Sequence, residues 1–280
     1  MVRIITDSAA DFEPAELEKQ NIACIPLKVM LADKEYRENI DLSKKEFYEL
    51  LASTGATPQT SQPSPDLLFD AFKAAKDAGD EAVYISISSG ISGTYQTALI
   101  TKDDVDYDGC YVFDSLNATA GERMLVEYAV CLRDEGKNAK EIVAALEETR
   151  GKVVLVACID TLEYLYRGGR ISQTVYKLGT MAQVKPIIRF SPEGTIEVPA
   201  KAMGMRKGLD QLCKRLEAQK PDLSHKIYAV YTADRAVGEA LAQRMAAHGC
   251  EIPDEQIIPV GAVIGSHIGP GACGITYIAE

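Results

Sequence analysis

Short apolar runs rich in β-branched residues alternate with helical patterns through the first 150 residues, and this alternation restricts the possible folds more than any other feature of the chain. Strands are expected at Val2–Thr6, Ile22–Leu31, Ala82–Ile87 and Cys110–Phe113. Helices are expected at Pro14–Gln20, Ser43–Ala52, Pro65–Ala78, Gly93–Thr101 and Gly121–Glu135. Strands joined through helices pair in parallel, so the pattern predicts a largely parallel sheet covered by helices. A run of good helix formers, Ala139–Arg150, stops at Gly151 and places a domain boundary there. With 280 residues, more than one compact core usually serves, the chain is expected to form two domains, 1–150 and 151–280.

The second part reads differently. Strands are expected at Val153–Cys158, Val184–Phe190, Thr195–Val198, Ile227–Tyr231, Ile257–Ile264 and Ile275–Ile278. Ser191-Pro192-Glu193-Gly194 lies between two of them as a hairpin turn, which requires antiparallel pairing. The expected fold class is therefore α/β, with an N-terminal mostly parallel α/β domain and a C-terminal α+β domain.

Composition excludes several functions. Apolar residues make up 46% and charged residues 25%, and no apolar run approaches the length of a membrane span. The opening residues lack the basic region and long apolar stretch of a secretion signal, so a cytoplasmic location is expected. The seven cysteines form no C-x-x-C pair, and neither a metal nor a cofactor is indicated. A net charge of −11 opposes a nucleic-acid surface. Residues 151–220 nevertheless hold 12 Lys and Arg against 6 Asp and Glu. That surplus is either a solvated basic face or a docking surface for an anionic partner.

Four segments could carry chemistry. Ile85-Ser86-Ile87-Ser88-Ser89-Gly90-Ile91-Ser92-Gly93-Thr94 is a strand breaking into a Ser/Gly turn that opens a helix. Such a turn aims hydroxyls and free N–H groups at one point, which favours an anion, although one serine could simply cap the helix. Thr57-Pro58-Gln59-Thr60-Ser61-Gln62-Pro63-Ser64-Pro65 is a proline-stiffened loop that either presents the hydroxyls of Thr60 and Ser61 or merely links two elements. His267 stands among glycines in Gly265-Ser-His-Ile-Gly-Pro-Gly271, where a ligand can approach closely. The G-x-G-x-x-G at 269–274 is followed by only six residues, too few for a dinucleotide fold. Arg170, just past a helix stopped by Gly168-Gly169, either pairs with a carboxylate, orients a histidine network or is a solvated charge at a helix end.

Two functions follow from these residues. Gly90-Ile-Ser92-Gly93 with His267 resembles a serine-hydrolase elbow acting on a lipid or acyl ester, but its second glycine is misplaced and no acid partner for His267 can be named. The alternative is a binding module. Ile5-Thr-Asp-Ser8, Thr60-Ser-Gln-Pro-Ser64, Ser88-Ser-Gly-Ile-Ser-Gly-Thr-Tyr95, Asp114-Ser115, Leu162-Glu-Tyr-Leu-Tyr-Arg-Gly-Gly-Arg-Ile171, Lys185-Pro-Ile-Ile188 and Gly265-Ser-His-Ile-Gly-Pro-Gly271 together resemble the DegV family over essentially the whole chain.

That resemblance implies a protein that holds a long-chain fatty acid in an internal tunnel between or beside the two domains. It is not itself an enzyme; some members present the acyl chain to a separate ATP-dependent fatty-acid kinase. Carried over by motif, Thr60 and Ser92 hold the carboxylate with Ser61 and the Gly93 N–H, His267 joins that network, and Arg170 steadies it electrostatically. The kinase would dock on the basic face of Lys201, Arg206 and Lys207. Met203 and Gly204 stand where the family commonly carries an Arg-Thr pair, and the small residues usual near Thr119-Ala-Gly121-Glu-Arg123 are partly replaced.

Overall fold

Residues 1–177 and 183–280 are described by the computed structural model. The first half runs β1 (Val2–Asp7), a 3-10 turn (Ser8–Ala10), α1 (Pro14–Gln20), β2 (Ile22–Ile25), β3 (Lys28–Leu31), β4 (Lys34–Arg37), α2 (Lys44–Thr54), β5 (Gln59–Ser61), α3 (Pro65–Ala78), β6 (Glu81–Ser86), α4 (Thr94–Val105), β7 (Cys110–Asp114), α5 (Thr119–Asp134) and α6 (Ala139–Arg150). Local signals set these bounds. Ser43 and Asn138 each close a capping box with a glutamate three residues on, and Pro14 and Pro65 occupy first-turn positions where a missing N–H costs nothing.

Strands β2-β1-β6-β7 form a four-stranded sheet, parallel throughout. Its inner strands β1 and β6 are buried on both faces and alternate sides with period two. On β6, Val83 and Ile85 pack with α5 and α6, while Ala82 and Tyr84 pack with α3 and α4. Short strands β4-β3-β5 make a separate antiparallel sheet. The expected strand Ile22–Leu31 is thus two strands in two sheets, because Pro26 has no N–H to continue a ladder.

The chain changes sheet at Gly151-Lys152. There follow β8 (Val153–Cys158), α7 (Glu163–Arg167), α8 (Gln173–Lys177), β9 (Val184–Phe190), β10 (Ile196–Met203), α9 (Met205–Ala218), β11 (Tyr228–Tyr231), α10 (Arg235–Ala247), β12 (Ile257–Pro259), α11 (Ala262–Ile268) and β13 (Cys273–Ile278). Strands β10-β9-β8-β13-β11-β12 form a mixed sheet in which only β11 and β12 run parallel. The hairpin joining β9 to β10 turns at Gly194, with φ +74°. Helices α9 and α10 cover one face. The other face meets the first half in a shared apolar cluster that joins Leu27, Phe47 and Met124 to Tyr228, Val260 and Ile264.

The expected strand Ile257–Ile264 requires correction. It ends at Pro259, and Ala262–Ile268 is helical. Residues 262–266 are buried, so the helix shows no polar face and its apolar run reads like that of a buried strand.

Candidate functional site

The parallel sheet has a topological switch point: from β1 the chain goes outward to β2, and it returns on the other side through β6 and β7. Ligands of open α/β sheets collect beyond the carboxyl ends of the strands at such a point. A cavity of about 550 Å³ lies there, closed on its far side by the second sheet and α11. Its volume suits a small-molecule site, for which roughly 300–1,000 Å³ is usual. Leu27, Ile87 and Ala118 line it from the first half; Leu155, Ala157, Ile188, Phe190 and Val230 line it from the mixed sheet.

Thr60, Ser61, Ser92, Gly93, Arg170 and His267 all reach the wall of this one cavity, although they come from β5, the turn before α4, the segment after α7, and α11. Lys201, Arg206 and Lys207 are exposed and do not line it.

The serine-rich turn divides its work. Ser88 Oγ donates to the Gly194 carbonyl at 2.7 Å, and the Ser89 N–H donates to Asp114 Oδ1 at 3.1 Å, so these residues fasten the turn to the β9–β10 hairpin and to β7. Ser92 alone of the turn's serines faces the cavity. Its Oγ lies 2.8 Å from Thr94 Oγ1 and accepts from the Thr94 N–H at 3.3 Å. The N-cap of α4, Gly93, has no side chain of its own, and Ser92 Oγ takes only the Thr94 N–H, which leaves the other first-turn N–H groups of the 12-residue helix without a side-chain cap.

His267 Nε2 lies 2.8 Å from Thr60 Oγ1. Nδ1 is buried without a hydrogen-bond partner among the described residues and faces Gly168, where an added Cβ would lie 2.2 Å from it. Burial, reinforced by the Arg170 cation, pushes the His267 pKa down to about 3, so the ring is neutral. An unmet acceptor costs less than an unmet donor, which puts the ring proton on Nε2. Thr60 Oγ1 then accepts from the imidazole, and its own proton is free to turn into the cavity. Arg170 is anchored by Nε to the Ile91 carbonyl at 2.9 Å and by Nη1 to the Gly168 carbonyl at 2.6 Å. It therefore joins the segment after α7 to the Ser/Gly turn and supplies the positive potential at this end.

The residues do not form a hydrolase relay. Ser92 bonds to Thr94, His267 bonds to Thr60, and among the described residues no carboxylate meets Nδ1. Sequence reasoning missed Gln62, whose side chain lies over Gly93 and accepts from the Thr97 hydroxyl. It also missed Gly168, which makes room for the imidazole; the close-packed Gly-Gly pair was its only signal.

The DegV family model matches residues 1–280. The chain belongs to the DegV family. Among DegV domain-containing proteins it is 34% identical over 285 residues to one from Lactococcus lactis, covering 99% of this chain and 98% of that one. It is 32% identical over 278 residues to one from Caldanaerobacter subterraneus, with coverage of 99% and 98%. Solved structures of the family superpose closely. A DegV protein of Thermus thermophilus described for fatty-acid binding gives a TM-score of 0.89 at 30% identity, covering 100% and 99% of the two chains. DegV of Bacillus subtilis, described as a fatty acid binding protein, gives 0.86 at 29% identity with the same coverage. Among the described residues of this DegV chain, no helix is long and apolar enough to cross a membrane, and no group of His, Cys, Asp or Glu side chains is arranged to hold a metal ion.

Proposed function

We propose that this chain binds a long-chain fatty acid, with the tail in the cavity and the carboxylate at the end formed by Thr60, Ser61, Ser92, the Gly93 N–H and His267. The observation that carries this reading is the distribution of polarity. The cavity wall is mostly aliphatic, and the hydroxyls of Thr60, Ser61 and Ser92 lie with the imidazole and the one guanidinium at one end. Removing a methylene from water gains about 0.8 kcal/mol, so ~14 methylenes supply on the order of 11 kcal/mol before association costs. A buried carboxylate without partners would cancel much of that gain. Thr60 and Ser92 supply neutral donors, and Arg170 supplies charge without needing to touch the ligand. The protein is then a carrier, not a catalyst.

In its fuller form the same reading has the loaded carrier deliver its acyl chain to a separate ATP-dependent kinase, docking through Lys201, Arg206 and Lys207. The proposed setting is the cytoplasm, which the free thiols of all seven cysteines suit. Mass spectrometry of lipid extracted from the purified protein tests the ligand directly. Titration calorimetry tests the orientation: Ser92→Ala should weaken a fatty acid roughly 10–100-fold while leaving the matching long-chain alcohol nearly unchanged. Equal weakening of both ligands would refute the carboxylate assignment.

A further inference from the structure

The first turn of α11 is held by two acids from the other half of the chain. Asp11 Oδ1 accepts from the Gly261 N–H at 2.8 Å, and Glu38 Oε1 accepts from the Val263 N–H at 2.9 Å. Both residues are buried, with exposures of 1% and 2%. A Cβ added to Gly261 would lie 2.6 Å from the Asp11 oxygen and 2.3 Å from the Glu38 oxygen, so the two carboxyl groups converge on one point. Their other oxygens, Oδ2 and Oε2, have no hydrogen-bond partner among the described residues. Lys44 reaches the Asp11 backbone carbonyl at 2.7 Å and the Glu13 carboxylate at 3.0 Å. Two carboxylates this close, out of water, cannot both ionise cheaply, and a single proton between them removes the conflict.

Six residues beyond Gly261 the same helix presents His267 to Thr60, and on the way Val263 and Ile264 form cavity wall. We infer that Asp11 and Glu38 are positioning residues of the fatty-acid site: they share one proton, and the shared proton keeps α11 seated so that the imidazole meets Thr60 and the wall stays closed. This inference rests on the fatty-acid reading above. Loss of the proton sets two carboxylates against each other at the helix start and unseats it.

The groups facing the pair are Lys44 and Tyr48 on α2, Glu122 and Arg123 on α5, Cys24 on β2 and Asp7 at the end of β1. Burial holds Glu122, Cys24 and Tyr48 protonated, well above their ordinary ranges. Arg123 is committed to Glu16 and Glu127. Burial, and Asp11 beside it, lift Glu38 to about 7, against the pull of Lys44. Asp7 is lifted to about 6, but it bonds Ala9, Ile87 and Tyr84 and makes no bond to α11.

Titration of the full chain with hexadecanoate between pH 6 and pH 9 tests the inference. Wild-type affinity should fall about tenfold per pH unit above pH ~7, as one-proton linkage requires. Glu38→Gln, whose amide keeps the neutral partner at every pH, should bind with a flat profile. A wild-type profile that is flat over this range overturns the proposal whether or not the variant folds. A Glu38→Gln profile as steep as wild type also overturns it, since the slope would then belong to another group, Asp7 included. Absence of binding at every pH refutes the fatty-acid reading instead, which is a distinguishable failure.

Discussion

The two ends of α11 meet the rest of the molecule through opposite chemistry. At its start, two acids from the first half accept backbone N–H groups, and burial raises their pKa values. At its end, a base bonds to a hydroxyl, and burial lowers its pKa. Desolvation opposes the charged form in both cases, so one cause favours a proton on the acid pair and disfavours one on the histidine. The consequence is a short helix held at its start by an acid pair with one charge between them and at its end by a neutral imidazole. A neutral imidazole leaves Arg170 as the charge that favours an anion at the cavity end, and helix N–H groups that would otherwise lack partners offset the cost of burying the acids.

If the two ends differ in this way, crowding them should fail differently. The largest effect is expected at the start. Gly261→Ala drives a methyl group into two buried carboxyl groups, breaking their two hydrogen bonds to the helix start and overpacking the junction between the halves. A stability loss of about 3 kcal/mol or more should appear as a lower denaturation midpoint. A loss below about 1 kcal/mol would mean that the acids do not grip the helix.

Gly168→Ala is the matching change at the other end and should be milder for the fold. Its methyl group would meet chiefly the edge of the His267 ring, which can tilt toward the cavity at the expense of the Thr60 bond, and would lie 3.2 Å from the Tyr164 carbonyl. Fatty-acid affinity should fall roughly tenfold, the worth of about one hydrogen bond to a charged group, with a stability cost of about 1 kcal/mol. Should Gly168→Ala prove the more destabilising of the two, the division of labour between the ends of α11 would be wrong.

The same contrast explains what the sequence revealed. Wherever a local signal existed, the element was legible: α1, α3 and α6 begin and end at the expected residues because a proline or a cap marks one end and an Asn or Gly the other. Thr60, Ser92 and His267 stood out because glycines or prolines punctuate the sequence around them, although only Ser92 lies in a turn, with Thr60 on β5 and His267 on α11. The acid pair was invisible for the opposite reason. Asp11 meets its partner across 250 positions and Glu38 across 225, and an acid looks the same in sequence whether it ends up in water or in a core. The same long-range burial hid α11, whose lack of a polar face removed the period that marks a surface helix. Three of the serines that suggested an anion cradle serve instead to fasten a loop or close a local turn, a division that only their partners reveal.

The smallest expected effect concerns stability against acid. The folded His267 has a pKa of about 3 and the unfolded ring about 6.5. Between those values the unfolded chain takes up a proton that the folded chain refuses, so this residue's contribution is complete above pH 6.5 and is lost as pH falls toward 3. Glu38 works in reverse. Its folded pKa near 7 exceeds the ordinary 4.5, so its contribution is complete below pH 4.5 and is lost as pH rises through 7. His267→Gln should therefore remove a rise of stability with pH between about 3 and 6.5, Glu38→Gln should remove a fall between 4.5 and about 7, and neither should alter the slope above pH 7. Chemical denaturation at half-unit pH steps separates the two. If His267→Gln leaves the slope between pH 4 and 6 unchanged, the imidazole is not held neutral by the fold, and the claimed symmetry between the ends of α11 fails at its histidine end.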